Sequence, residues 1–260
     1  MSEEKLTLYR YRHLDGEHHD WTKKIITESI LYFASPATFN DPFDCRVHFS
    51  KDYSKEELSA YFIEKAKEFE PEMKSDELNE RAEAILKQDR NEMVSQMKKG
   101  LQGWINNYGI LSLSANNNNI LMWSHYAAGH KGICLRFEFT LQICNQFPYL
   151  CPAPVKYKES YPEVEITAPA KELSDAFLLT KAYDWCYEAE RRTIDFTKGP
   201  GEKQFPLKLL TGVILGAEMK PEVKKKVAGW VRARKTPTEL LEAFIVEGEF
   251  KIDFKLYEGD

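Results

Sequence analysis

The chain is poor in the residues that build a secreted scaffold, a zinc module or a membrane span. Its five cysteines (Cys45, Cys134, Cys144, Cys151 and Cys186) are an odd number with no C-x-x-C pair. That composition indicates neither a disulfide framework nor a structural zinc site. No apolar run approaches twenty residues, and the start, Met1-Ser2-Glu3-Glu4-Lys5, carries no apolar signal region. A cytoplasmic protein with no membrane partner is the expectation. Positive charge is not in excess either. A net charge of -5 and a pI near 5.8 argue against a protein that coats nucleic acid through its overall field, and leave only a local basic patch open. What is present is core material. With 43% hydrophobic and 13% aromatic residues in 260, one large domain over 1–260 is expected.

Residues 119–137 give the chain its centre. Ile120, Leu121, Met122, Trp123, Tyr126 and Ala127 form a mostly apolar run about two turns long. Gly129 and Gly132 then bracket His130-Lys131, and Ile133, Leu135 and Phe137 alternate as a strand does. The pattern predicts a buried helix, a tight glycine turn and a central strand. Ser124, His125 and His130 sit among these core residues, where burial penalises any polar group without a partner. They read as the wall of a site or, equally, as groups that satisfy nearby backbone.

Before that centre, residues 6–12 alternate as a strand, with Tyr9 and Tyr11 on one face and Leu8, Arg10 and Arg12 on the other. A guanidinium on the face of a buried leucine is expensive to dehydrate without an anion. The pattern therefore hints at a phosphate or carboxylate partner, against a strand near an edge with both arginines solvated. Residues 20–29 predict a helix capped by Asp20, with Trp21, Ile25 and Ile26 facing inward. After a short strand at 30–33, Phe39-Asn40-Asp41-Pro42-Phe43-Asp44 makes a stiff loop pinned by its phenylalanines. Two carboxylates three residues apart are not a coordination sphere, so no metal is expected there. Ser54-Lys55-Glu56-Glu57 has capping-box spacing. Two charge-dense helices are predicted after it, the second over 76–97. Together they read as a helical insertion, 51–105.

The second informative stretch is Tyr183-Asp184-Trp185-Cys186-Tyr187-Glu188-Ala189-Glu190-Arg191-Arg192. An acid-x-acid step entering a strand places Glu188 and Glu190 on one face, with arginines alongside that can orient or neutralise them. Strands are further expected near 110–114, 132–138, 190–196 and 211–216, and helices over 169–181 and 223–234. A closing hairpin is expected from 244–246 and 252–256. Lys224, Lys225, Lys226, Arg232, Arg234 and Lys235 read as a solvated helix face.

Four motifs together resemble a bacterial family known as domain of unknown function 2971, over about residues 8–220. They are Leu8-Tyr9-Arg10-Tyr11, Leu31-Tyr32-Phe33 with the 39–44 loop, Leu121-Met122-Trp123-Ser124-His125-Tyr126 with His130-Lys131-Gly132, and the 185–192 stretch. Proteins of that family are met near mobile and phage-defence genes. The resemblance implies a toxin or defence effector with an antitoxin or other partner protein. A second resemblance is to the arginine-serine-glutamate branch of the ADP-ribosyltransferase superfamily. Arg10 stands on the first strand, Ser114 on a middle one and Glu190 in a Glu188-Ala189-Glu190 step, in the family's order. Ser112-Leu113-Ser114 stands where that branch has Ser-Thr-Ser, so His125 or Tyr126 is the alternative middle residue.

The resemblance implies an α+β fold with a mixed, largely antiparallel sheet core, helices around it and a helical insertion. It also implies NAD as substrate, with no metal, and an acceptor in a protein or a nucleic acid. Cleaving the nicotinamide–ribose bond develops oxocarbenium-like charge on the ribose. Glu190 would stabilise that charge, Glu188 would polarise the acceptor, and Arg10 would hold the pyrophosphate. Tyr11, His125 and either Trp123 or Tyr126 complete the expected NAD-binding set, the last two by stacking. Two alternatives stay open. One is a non-enzymatic module binding a nucleotide or a partner. The other is a metal-dependent nuclease using Asp41, Asp44, His125 and Glu190.

Overall fold

Strands buried on both faces lie in the middle of the sheet, as residues 109–114, 133–139 and 210–215 do. In the computed structural model, residues 5–49 and 52–259 are described. Residues 1–4, where a signal region was sought, lie outside the described residues, as do residue 51, the first of the expected insertion, and residue 260. In chain order come β1 (Leu6–Arg12), α1 (His18–Glu28), β2 (Ile30–Phe33) and β3 (His48–Phe49), then the helices α2 (Lys55–Phe69), α3 (Ser75–Leu86) and α4 (Arg90–Asn106). They are followed by β4 (Gly109–Ser114), α5 (Ile120–Tyr126), β5 (Ile133–Phe139) and α6 (Leu141–Gln146). The short strands β6 (Ala153–Pro154), β7 (Lys156–Lys158) and β8 (Glu163–Val164) precede α7 (Ala170–Leu178) and β9 (Thr180–Ala182). β10 (Glu190–Asp195), β11 (Gly201–Gln204), β12 (Leu210–Leu215), α8 (Pro221–Arg232), β13 (Glu239–Ile245) and β14 (Ile252–Leu256) end the chain.

Eight strands form one sheet in the order β14-β13-β12-β5-β1-β4-β10-β6. Every pair in it is antiparallel except β12–β13, which α8 joins by a crossover. The fold is therefore α+β with a mixed, largely antiparallel sheet, and the four strands expected near 7–12, 110–114, 132–138 and 190–196 lie side by side within it. Leu8, Leu135, Phe137 and Val213 point to one face, where α1 and α8 pack through Ile25, Ile26, Val227 and Val231. Tyr11, Cys134 and Ile214 point to the other, under Met122 and Trp123 of α5. Each such side chain removed from water contributes about 1.5–3 kcal/mol. No helix among the described residues is long and apolar enough to cross a membrane.

Several local expectations change in the structure. α1 begins two residues before Asp20, no side chain caps it, and Trp21 is 46% exposed while Thr22 takes the inward place beside Ile25 and Ile26. The long helix expected over 76–97 is two, because Asp89 caps a fresh start by accepting from the Asn91 and Glu92 amides. The capping box of Ser54 and Glu57 is present at the start of α2. Leu58, Met93 and Met97 pack with Tyr53 and Ile166 in a cluster of their own. α5 buries Met122 and Trp123 but leaves Ile120 and Leu121 on the surface. It ends in a turn of left-handed residues, Ala128, Gly129 and His130. Gly132 comes so close to the Arg12 carbonyl that any Cβ would stand 2.2 Å from it, which fixes how tightly the turn can seat β5 on β1.

Candidate functional site

The sheet comes apart between β1 and β4. β1 matches β5 over seven pairs, yet its pairing with β4 is the single match of Tyr9 with Ser114. A continued ladder would pair Tyr11 with Ser112. Instead the Arg10 guanidinium donates to the Ser112 carbonyl at 2.9 Å, and the Tyr11 hydroxyl donates to the Asn116 carbonyl at 2.9 Å. Side chains thus satisfy backbone groups that the ladder has given up. The gap is a cavity of about 230 Å³ lined by Tyr9, Arg10, Tyr11 and Arg12 on one side. Ser114, Tyr126, Lys181, Glu188 and Glu190 face them, and Phe39 and Asp44 also line it.

The β1 wall is cationic, and the opposing charge that reaches it, Glu190, acts on Arg10 without forming an ion pair with it. Neither Arg10 nor Arg12 has a carboxylate within ion-pair reach among the described residues. Arg12 instead donates to the Thr22 hydroxyl (3.4 Å) and to His18 Nδ1 (3.3 Å). The Arg10 Nε is buried with no hydrogen-bond partner among the described residues. Burial, helped by the Arg12 charge and opposed by Glu190, pushes the Arg10 pKa down to about 9. It remains protonated at neutral pH, and an unpartnered buried N–H is a group that an anion would satisfy.

The opposite wall is saturated. Glu190 accepts from Arg192 Nε at 2.8 Å and Nη2 at 3.2 Å, and from Lys181 Nζ at 3.1 Å. Burial alone would raise its pKa, but the Arg192 and Lys181 cations outweigh that and hold it at about 2. Arg192, wholly buried, also donates to Asp44 at 2.6 Å and to the Leu178 carbonyl at 2.9 Å, with Phe39 lying 5.5 Å from the guanidinium carbon. Glu188 accepts from the Tyr126 hydroxyl at 2.6 Å and from Lys181 at 2.5 Å. Burial first, and Glu188 second, raise the Tyr126 pKa, so that hydroxyl keeps its proton. Burial would lower the pKa of Lys181, and the two glutamates more than reverse it.

The acid-x-acid step reaches this arrangement by a route other than strand alternation. Glu188 ends a 3-10 turn, Ala189 adopts a left-handed conformation at φ 44°, and Glu190 opens β10. Ser114 fixes that turn. Its hydroxyl donates to the Glu188 carbonyl at 2.6 Å and accepts from the Asn116 amide at 3.0 Å. The Glu190 amide donates to the Tyr157 hydroxyl at 2.7 Å.

Six of the residues predicted from sequence meet in the cleft: Arg10, Tyr11, Ser114, Tyr126, Glu188 and Glu190. Two do not. Trp123 is fully buried, edge-on to Tyr11, with its indole N–H given to the Asn117 carbonyl at 2.7 Å, so no ligand ring can stack on it. His125 is exposed and pairs with the Tyr187 hydroxyl at 3.2 Å outside the cleft. The nuclease constellation is also dispersed. Asp41 lines a separate groove with Phe43 and Trp185, and the Arg192 guanidinium occupies the space between Asp44 and Glu190. Among the described residues, no three His, Cys, Asp or Glu side chains are grouped to hold a metal ion.

Sequence reasoning missed Lys181, which it left at the end of a predicted helix. The signal was there: Lys181 is the lone cation between Lys171 and Arg191, in a stretch holding five acids. Asp44 reads from sequence as part of a stiff loop or, in the nuclease alternative, as a metal ligand, and its partner Arg192 is not foreseen.

Residues 122–193 match the model of a family described as a protein of unknown function (DUF2971). No curated protein and no solved structure matches the chain. The matched segment runs from α5 into β10 and carries Tyr126, Lys181, Glu188, Glu190 and Arg192, while Arg10, Asp44 and Ser114 fall outside it.

Proposed function

We propose that the cleft binds NAD and cleaves its nicotinamide–ribose bond, passing the ADP-ribosyl group to an acceptor in a protein or a nucleic acid. One observation carries the reading. Arg10, Ser114 and the Glu188–Glu190 pair, distant in sequence, line a single cavity together with the rings of Tyr9, Tyr11 and Tyr126. The residues suit the substrate. The buried Arg10 Nε lacks an acceptor that a phosphate oxygen would supply. The cavity of about 230 Å³ falls below the roughly 300–1,000 Å³ of drug-sized ligand sites. It therefore takes one end of a dinucleotide, with the remainder at its open mouth.

The chain's own groups then divide the work. Glu190 is ionised at any pH above about 2 and is held rigid, so its charge faces a developing ribosyl cation without reorganising. Tyr126, still protonated, and Lys181 hold the carboxylate of Glu188, which takes the acceptor's proton. Ser114 acts through the backbone by pinning the turn that presents both glutamates.

A second reading has a specific observation behind it. All four carboxylate oxygens of Glu188 and Glu190 already accept hydrogen bonds. That is the arrangement of a module that binds a nucleotide without turning it over. Incubating the protein with NAD labelled in its adenylate half, alone and with cell extract, separates the two. Transfer of label to a macromolecule with release of nicotinamide supports the transferase, and its loss by a factor of 100 or more in Glu190→Gln would match the usual scale for a key electrostatic group. Saturable NAD binding with no nicotinamide released leaves the binding module.

A further inference from the structure

The overall charge of -5 conceals one strongly basic region. Residues 198–208 and 220–238 hold ten lysines and arginines against two glutamates, Glu202 and Glu222. Part of this charge does not sit on a solvated helix face as the sequence pattern predicts. Arg232, Arg234 and Lys235 line cavities at the end of α8. One of about 800 Å³ is bordered by Lys198, Lys203, Arg234 and Lys235, and one of about 540 Å³ by Arg232, Arg234 and Lys235. The shared arginine and lysine make them neighbours along one groove. The acid on its lining, Glu202, is already paired with Lys24 at 2.8 Å.

These cations are not spent on internal pairing, apart from Lys203, which meets Asp195 at 3.0 Å. Arg234 is held in place by the carbonyls of Ile26 and Leu207 and the hydroxyls of Thr236 and Thr238, none of which neutralises it. Arg232 donates to the Gly259 carbonyl. Lys198 and Lys235 are exposed and form no ion pair among the described residues. Apolar and aromatic surface alternates with the charge. Phe147 and Tyr149 line the larger cavity with their rings 6.1 Å apart, and Leu207 beside them is 42% exposed. Tyr257 lines the smaller one.

We propose that this groove binds a single strand of nucleic acid, its phosphates on Lys198, Arg232, Arg234 and Lys235 and its bases against Tyr149 and Tyr257. Two held arginines and two exposed lysines beside the half-buried rings of Tyr149 and Tyr257 are what an unpaired strand needs, since every base has a face to lay on the open part of a ring. A duplex is read by an element that enters its grooves, and this lining is concave, built mainly from loops and strand ends. The inference does not depend on what the cleft between β1 and β4 does.

The test is fluorescence anisotropy of the full chain with a labelled single-stranded oligonucleotide of mixed sequence, at rising salt. Saturable binding at low salt is expected, with log K falling linearly against log salt at about 0.7 per phosphate engaged. The double variant Lys198→Glu/Lys235→Glu, both at exposed positions, should bind roughly tenfold more weakly or worse and lose part of that slope. Lys99→Glu, on the exposed face of α4, should bind as the parent does. Absence of binding at low salt, or equal binding by the double variant with an unchanged thermal melt, overturns the proposal. Equal affinity for duplex DNA or for an acidic peptide of matched charge overturns the single-strand assignment, since the groove would then read charge alone.

Discussion

The two walls of the cleft handle buried charge in opposite ways. On the β10 side three carboxylates and two cations interlock, Asp44–Arg192–Glu190–Lys181–Glu188, each contact between 2.5 and 3.2 Å. On the β1 side Arg10 and Arg12 stand with carbonyl, hydroxyl and imidazole partners and, among the described residues, no carboxylate in ion-pair contact. A saturated chain of ions is costly to interrupt, because removing one member strands its neighbours in a dry site. An unsaturated cation is costly to keep and inexpensive to remove, unless a ligand supplies the missing charge. The first wall therefore behaves as structure that holds two glutamates in place, and under the proposed function the second is where an anion would dock. Stability and ligand affinity should separate accordingly.

The largest effect is expected at the centre of the saturated wall. Arg192→Met leaves Asp44 and Glu190 buried without their common partner and should lower the unfolding free energy by about 3–5 kcal/mol, read from urea denaturation. Arg192→Lys should recover little, since a single ammonium cannot span both carboxylates as the fork does. If Arg192→Met melts like the parent, the interlocked wall is not the structural element described here.

Acid should weaken the same wall next. The Glu190 pKa of about 2 lies below its ordinary 4.5, so the unfolded chain takes up this proton first as pH falls. The associated stability is fully present above pH 4.5 and is lost on the way to 2, of order 3 kcal/mol. Asp195, also held at about 2 by the amides of Thr197 and Lys198 and by Lys203 against the opposing effect of burial, titrates in the same window. Chemical denaturation at a series of pH values should show the loss, and Arg192→Met should show less of it.

Tyr126→Phe removes one charged hydrogen bond to Glu188 while Lys181 remains, and should cost about 1–2 kcal/mol in the same assay. Arg10→Gln should cost least, within about 1 kcal/mol, because no carboxylate loses a partner. Yet it should weaken NAD binding at least tenfold, measured by calorimetry, because the docking cation is gone. A large loss of stability in Arg10→Gln would erase the contrast between the walls.

Much of this was legible in the chain. The strands expected near 7–12, 110–114 and 132–138 are neighbours at the centre of the sheet, and a guanidinium on a leucine face marked Arg10 before any neighbour was known. The Glu-x-Glu step marked the opposite wall. What stayed hidden depends on contacts across the fold. Trp123 and Tyr126 are three residues apart on one short helix, and periodicity alone did not reveal that the indole turns into the core while the phenol reaches Glu188. Arg192 read as one of two flanking arginines, since nothing local announces that Asp44 will meet it. The split between β1 and β4 had no local signature either, because the gap arises where side chains from one strand replace the ladder with the other.

Under the proposed function the open cation and the held glutamates act on one NAD molecule. The most direct test is nicotinamide release from NAD by the parent and by Arg10→Gln, with cell extract present and both proteins shown by melts to be folded. Steady release by the parent is expected, with a rate at least tenfold lower in the variant. Release by the parent no faster than in extract alone, or equal rates for the two proteins, would contradict that function.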